Sequence, residues 1–393
     1  MDTRTLIVGL LVVISGIISI ELGISTAILL IIAGTFSANF LGFQSNYWID
    51  FLANLGMLGI LFLAGLEVDF DVLQRNWRKN LALGIMGYVT PFLFLLLFSV
   101  YILAYNLQTS IIIAIALSTT SLSLVYCILR TMLDKKELFY QMMLGSAVVI
   151  DVLTMITFSV LMRKIDLYDL RYFLAMLIFL FLTPIISKYF IKRYEKNPAE
   201  IEIRLVLLLL LILSFISSKI TILESVFVFV LGLLFSKFLT DSEVVEDKLR
   251  GLIFGFLAPI FFFKAGLLMV FPFGDYSLLL IILGVIVIAY LSKLLGIYLI
   301  GRVFLGHSTA LTMGFYFNFR LSFALVVSVY GITHGLITNN EYFIIVSSVL
   351  LTSLISSLIL RVIPQENYII LSEGSIVKKE PCNIILKDKL SQG

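Results

Sequence analysis

Apolar runs of about 20 residues, parted by short polar breaks, fill the chain almost to its end, and none shows the strict alternation of a membrane strand. The pattern predicts an all-α polytopic membrane protein of about thirteen spans. They fall near 5–20, 23–41, 51–69, 81–105, 108–129, 139–162, 171–191, 203–217, 219–238, 250–272, 276–301, 307–333 and 342–361. The eighth and ninth abut, with little polar sequence to divide them. The first run lacks a basic start and a small-residue exit, so it reads as a span and not a cleavable signal. The tail, 364–393, is polar and short. It carries no G-x-G-x-x-G, so no nucleotide-binding domain is expected in cis.

Lysine and arginine orient these spans. Loops after odd-numbered spans carry Arg75, Arg78 and Lys79, then Arg130, Lys135 and Lys136, then Lys192, Arg193 and Lys196, then Lys248 and Arg250, then Arg302. Loops after even-numbered spans offer little beyond Arg163, Lys164, Arg171 and Lys219. Odd loops are therefore expected in the cytoplasm, with the N-terminus outside and the C-terminus inside a cell membrane. Composition agrees: 60% of the 393 residues are hydrophobic and 13% charged, which excludes a soluble domain. A net charge of +3 gives no reason to expect nucleic acid. Cys127 falls in a span and Cys382 in the tail, so neither a disulfide frame nor a zinc site is suggested.

Against this apolar background a few charged positions stand out. Asp151 lies at the centre of span 6, YQMMLGSAVVIDVLTMITFSVL, where a carboxylate costs about 2.5–3.5 kcal/mol to insert. Such a residue belongs on an ion or proton pathway, or beside a partner. Lys293 in span 11 is equally deep and needs an acidic partner or a deprotonated state, so it is expected close to Asp151 as its charge partner. Arg320, mid-depth in span 12, cannot lose its proton; it is expected to cap carbonyls or to pair with an acid such as Glu67 or Glu224. Glu67 and Glu224 themselves read as interface residues, and Lys264 as either interfacial or functional. His307 and His334 flank span 12, but no metal-ligand spacing, Ser-His-Asp set or phosphate loop accompanies them. Enzyme chemistry and a cofactor are not expected.

Two spans look interrupted. Span 5 carries the polar run Ser118-Thr119-Thr120-Ser121-Leu122-Ser123, and span 12 carries Asn318 and Arg320. They are seven spans apart, and an odd offset requires the two copies to run in opposite directions. At the same offset LFLAGLEVDF (61–70) in span 3 matches FFFKAGLLMVF (261–271) in span 10 through Ala-Gly-Leu. Paired interruptions in inverted halves are how secondary transporters build sites at the bilayer midplane, from freed backbone groups and facing half-helix dipoles. A single Ser or Thr in such a run would instead bond back to its own helix turn.

Six stretches together resemble the monovalent cation:proton antiporters, in the branch that holds sodium/proton and Kef-type potassium/proton antiporters. They are LFLAGLEVDF (61–70), ALSTTSLSLVYCIL (116–129), GSAVVIDVLTMI (145–156), PIFFFKAGL (259–267), SKLLGIYLIG (292–301) and FNFRLSFALVVSVYG (317–331). The resemblance implies thirteen helices with two crossed, discontinuous ones, in a transmembrane domain over 1–363. A core is expected from about 81–162 and 276–361, scaffold and homodimer helices from about 5–69 and 203–272, and a linker helix near 171–191. Asp151 then matches the ion-carrying aspartate, Thr120 the polar residue beside it, Lys293 the core lysine and Arg320 an arginine of the second broken helix. The chain departs from the pattern at Ile150, where many members carry Asp, Asn or Gln, and at Ser322, where Kef-like members carry Glu.

The expected function is secondary active exchange of a monovalent cation, sodium first, for protons by alternating access. Cation and proton would compete for Asp151. Oxygens for a hard cation would come from that carboxylate, from hydroxyls among Ser118, Thr119, Thr120 and Ser121, from freed carbonyls and from water. Asp151 and Thr120 form the expected cation site. A potassium/proton antiporter of the same fold is the alternative, with a sodium-coupled organic-anion symporter behind it. Ion selectivity and the number of protons per cation are left open by the sequence.

Overall fold

The computed structural model describes residues 3–22, 25–68, 76–121, 138–161, 178–180, 182–183, 200–217, 224–239, 243–272, 274 and 277–362. The second half of span 5 with Cys127, most of span 7, and the tail 364–393 with Cys382 lie outside the described residues. Among those described every regular element is helical. In order they are α1 (Thr3–Leu22), α2 (Thr26–Phe40), α3 (Tyr47–Leu66), α4 (Trp77–Leu97), α5 (Leu107–Ser118), α6 (Leu138–Leu161), α7 (Ile201–Ser217) and α8 (Glu224–Leu239). These are followed by α9 (Glu243–Leu252), α10 (Ala258–Leu267), α11 (Ser277–Leu305), α12 (His307–Tyr316), α13 (Ser322–Thr333) and α14 (Asn339–Val362).

The helices fall where the apolar runs do, with instructive differences at their ends. The abutting eighth and ninth spans are separate helices, α7 and α8. Span 10 starts seven residues before the apolar run expected at 250. Its opening turns, EVVEDKLRGL, place charges on one face of α9, and a π turn over Ile253–Leu257 then joins α9 to α10. A second π turn, Phe98–Ile102, ends α4. Span 12 is broken as expected: α12 stops at Tyr316, α13 starts at Ser322, and the residues between are non-helical. Span 5 is broken too, since α5 stops at Ser118 and Thr119 turns to extended geometry (φ −69°, ψ 167°).

The chain forms two compact units, residues 1–45, 72–151 and 262–393 in the first and 46–71 and 152–261 in the second. Each contains a helix crossing close enough that only glycine fits. In the first unit a Cβ on Gly34 of α2 would collide with Phe263 O, and one on Gly266 of α10 with Ile31 O. In the second, a Cβ on Gly65 of α3 would collide with Phe229 O, and one on Gly232 of α8 with Phe62 O. Gly65 and Gly266 are the central residues of the two Ala-Gly-Leu motifs. The helices they meet, spans 9 and 2, are themselves seven spans apart. The match that looked slight as letters therefore has a physical basis: backbones approach one another at small residues inside a membrane. The inverted repeat extends through both units' glycine crossings.

The second unit also ties down its charges. Arg250 Nη1 lies 2.8 Å from Glu67 Oε1, whose side chain is wholly buried, and Nη2 lies 2.8 Å from Glu246. Lys248 pairs with Glu200 at 2.7 Å. Glu67 sits at the C-terminal end of α3, where a helix dipole disfavours negative charge, so Arg250 neutralises an otherwise costly position.

Candidate functional site

The site forms where the two interrupted spans cross in the first unit. A helix that stops inside a membrane leaves its last carbonyls without intrahelical donors. At the end of α5 those of Ser118 and Thr119 accept from Lys293 Nζ, at 2.6 and 3.3 Å. Lys293 is fully buried on α11 and so serves as a cationic cap at the negative end of α5's dipole. Its hydrogen bonds differ from the pairing read from the sequence. Among the described residues Lys293 and Asp151 make no direct ion pair, although their charges do act on one another.

The extended segment after α5 is stitched to the break in span 12. Ser121 N donates to Phe319 O at 2.7 Å, Thr120 Oγ1 donates to Phe317 O at 3.2 Å, and the hydroxyls of Ser121 and Ser322 are 2.9 Å apart. This explains the departure at Ser322: a short hydroxyl meets its counterpart directly, where a glutamate would carry a charge into the crossing. The seam leaves the hydroxyls with unequal roles. Ser118 Oγ bonds back to Ala114 O at 2.6 Å within its own helix. Thr120 and Ser121 hold the crossing together.

Thr119 faces Asp151. Its hydroxyl lies 3.4 Å from Asp151 Oδ1 and equally far from Thr120 O, distances that leave the carboxylate loosely held. Asp151 is 5% exposed, and Thr119 is buried completely. The position expected of Thr120, beside the aspartate, is therefore taken by its neighbour. Ile150, the other departure, is wholly buried and packs beside Ile297 against Gly87 of α4, where the glycine's missing Cβ makes room for both side chains.

Arg320 and Asn318 form the opposite edge. The arginine is wholly buried, and its Nη2 donates to Ala289 O of α11 and to Asn318 Oδ1, both at 2.6 Å. Asn318 Nδ2 donates in turn to Gly314 O at 2.9 Å, satisfying the end of α12. Ser353 of α14 accepts from Arg320 N at 3.3 Å. Of the two roles open to Arg320, capping carbonyls is the one it performs; Glu67 is occupied with Arg250 in the second unit. Ala289 O and Ser353 had no distinguishing signal, because one is a backbone group and the other a serine in a serine-rich helix.

Brought together, then, are Ser118, Thr119, Thr120, Ser121, Asp151, Lys293, Asn318 and Arg320. A single loosely held carboxylate sits among fixed hydroxyls, carbonyls and two buried cations. Such a carboxylate can exchange one small cation for another with little rearrangement of its frame. Among the described residues no three His, Cys, Asp or Glu side chains gather as a metal centre.

Comparison with known proteins bears on the whole of this architecture. The family described as "Sodium/hydrogen exchanger, transmembrane" matches residues 8–365. A probable Na(+)/H(+) antiporter of Methanocaldococcus jannaschii is 26% identical over 347 residues, covering 84% of this chain and 87% of the relative. A Na(+)/H(+) antiporter of Enterococcus hirae is 28% identical over 342 residues, covering 82% and 87%. The solved structure of the sodium proton antiporter of Methanocaldococcus jannaschii at pH 8 superposes with a TM-score of 0.65 at 16% identity. That match covers 92% of this chain and 97% of the solved one, and it shows the fold.

Proposed function

This chain belongs to the transmembrane sodium/hydrogen exchanger family, and we propose that it exchanges sodium for protons by alternating access around Asp151. The observation that carries this reading is the buried, loosely held Asp151 carboxylate beside the Thr119 hydroxyl, at the crossing of two interrupted helices. A bare carboxylate in a low-dielectric interior is costly, so it takes up either a proton or a cation. Because one group serves both, binding of one expels the other. That mutual exclusion couples the two fluxes without ATP.

In this reading Asp151 is the ion and proton carrier and Thr119 its nearest hydroxyl ligand, with water and freed carbonyls completing a hard cation's oxygen shell. Lys293, Arg320 and Asn318 hold the broken ends, and Thr120 and Ser121 fix the crossing. The moving core is drawn from about 81–162 and 276–361, and the scaffold and homodimer contact from about 5–69 and 203–272, joined through 171–191. In this reading the protein lies in the cell membrane, and the excess of lysine and arginine in the odd-numbered loops supports a cytoplasmic C-terminus.

The test is reconstitution into liposomes holding a pH-sensitive dye. A proton gradient is imposed, and sodium, lithium or potassium is added in turn. Sodium should dissipate the gradient in the wild type and leave it intact in Asp151→Asn. A response that survives the substitution, or no response to any cation, removes the proposal. A response to potassium alone replaces sodium as the substrate while keeping the site.

A further inference from the structure

The ends of α4 and α11 that meet beside the start of α12 carry a cluster of cations the transport site does not use. Lys79 Nζ lies 5.8 Å from the centre of the Phe304 ring. The guanidinium of Arg302 lies 5.8 Å from the Tyr298 ring, and that of Arg78 lies 5.3 Å from Trp77. The Tyr298 hydroxyl is itself 2.7 Å from His307 Nδ1, which fixes the ring beneath Arg302. A cation over an aromatic face is held in place without being neutralised.

Among the described residues none of the three cations has a carboxylate within ion-pair distance, and the first turns of α4 and α12 contain no acid. In the second unit Arg250 and Lys248 are instead paired with glutamates. Apolar surface lies one to two turns deeper on the same helix faces: Leu81 is 41% exposed, Ile85 38% and Leu299 38%. Cations at a helix end with bare hydrocarbon just below them match a molecule that is anionic at its head and apolar beneath.

We propose that this rim of α4, α11 and α12 binds an anionic phospholipid, whose phosphate meets Arg78, Lys79 and Arg302 while its acyl chains cover Leu81, Ile85 and Leu299. In the orientation drawn from the loops it faces the cytoplasmic leaflet, where anionic lipids supply the negative surface. The assignment is independent of which ion Asp151 carries. Inorganic phosphate offers the same acceptor oxygens without the chains, so the two sources can be told apart.

The experiment uses the full chain in neutral detergent, with native mass spectrometry to count bound lipid. Phosphatidylglycerol, phosphatidylcholine and inorganic phosphate are titrated separately. The wild type should retain phosphatidylglycerol over phosphatidylcholine. Arg78→Gln and Arg302→Gln, both at exposed positions, should each weaken that binding about fivefold. Adding Lys79→Gln to the pair should weaken it roughly a hundredfold, and salt should weaken the wild type. Equal retention of the two lipids, or unchanged phosphatidylglycerol binding in both single variants, overturns the proposal. Displacement of phosphatidylglycerol by an equal concentration of inorganic phosphate overturns the lipid assignment. The exposed single variants decide the matter if the triple variant fails to fold.

Discussion

Replacing Lys293 with methionine separates two accounts of this lysine, as a cap on α5 and as the counter-ion of Asp151. In the structure its ammonium donates to Ser118 O at 2.6 Å and Thr119 O at 3.3 Å. A charge-assisted bond of the shorter kind contributes about 2 kcal/mol and the longer one about half that. The dipole of α5 adds roughly 1 kcal/mol. Methionine fills similar volume and escapes the lysine's desolvation cost, which offsets part of the loss. The net cost should be about 3 kcal/mol, or on the order of 4 °C in midpoint for a chain of 393 residues. Thermal unfolding in detergent would be followed for Lys293→Met in the wild type and in Asp151→Asn. Capping predicts similar losses in both backgrounds, with a coupling below about 1 kcal/mol. If the cost of Lys293→Met disappears once Asp151 is neutral, the lysine is a counter-ion and the capping argument fails.

Further predictions follow from other contacts. Thr119→Val should raise the cation KM several-fold while leaving stability near wild type, whereas Thr120→Val should lower stability by about 1 kcal/mol through loss of the bond to Phe317 O. Exchange assays and melting curves on the two variants would show the reverse pattern if Thr120 were the ligand. Arg250→Met strands the buried Glu67 carboxylate and should cost about 3–5 kcal/mol; Glu67→Gln in the same chain should recover most of it, and a failure to recover would mean the pair is not what stabilises α9. Gly232→Leu should cost at least about 1–3 kcal/mol by forcing α8 away from Phe62 O, seen as lost folded yield beside a tolerant Gly9→Leu control.

Much of this arrangement was legible because a membrane leaves the chain few options. Long apolar runs had to be helices, and several hydroxyls in a row at 118–121, like Asn318 and Arg320 at mid-depth, read more readily as interruptions than as residues of an intact helix. Asp151 was conspicuous by its cost. What could not be read was direction: Thr119 and Thr120 are the same residue type, and only the extended geometry after Ser118 turns one toward Asp151 and the other toward Phe317 O. Opposite charges at equal depth suggested a Lys293–Asp151 pair, but backbone carbonyls freed at the end of α5 leave no mark in a sequence and compete for the same ammonium. The glycine crossings were half visible. Gly65 and Gly266 appeared in matching motifs, while their partners Gly232 and Gly34 sit in plain apolar helices. The two π turns left no signal at all.

The central claim is that sodium and a proton exclude one another at a single carboxylate. The direct measurement is initial uptake of radioactive sodium into proteoliposomes as external pH is lowered, at fixed internal pH. Competition at Asp151 predicts an apparent KM for sodium that climbs toward about tenfold per pH unit on the acid side, with maximal rate little changed. A KM that stays constant while the maximal rate falls would place the proton elsewhere and contradict the account.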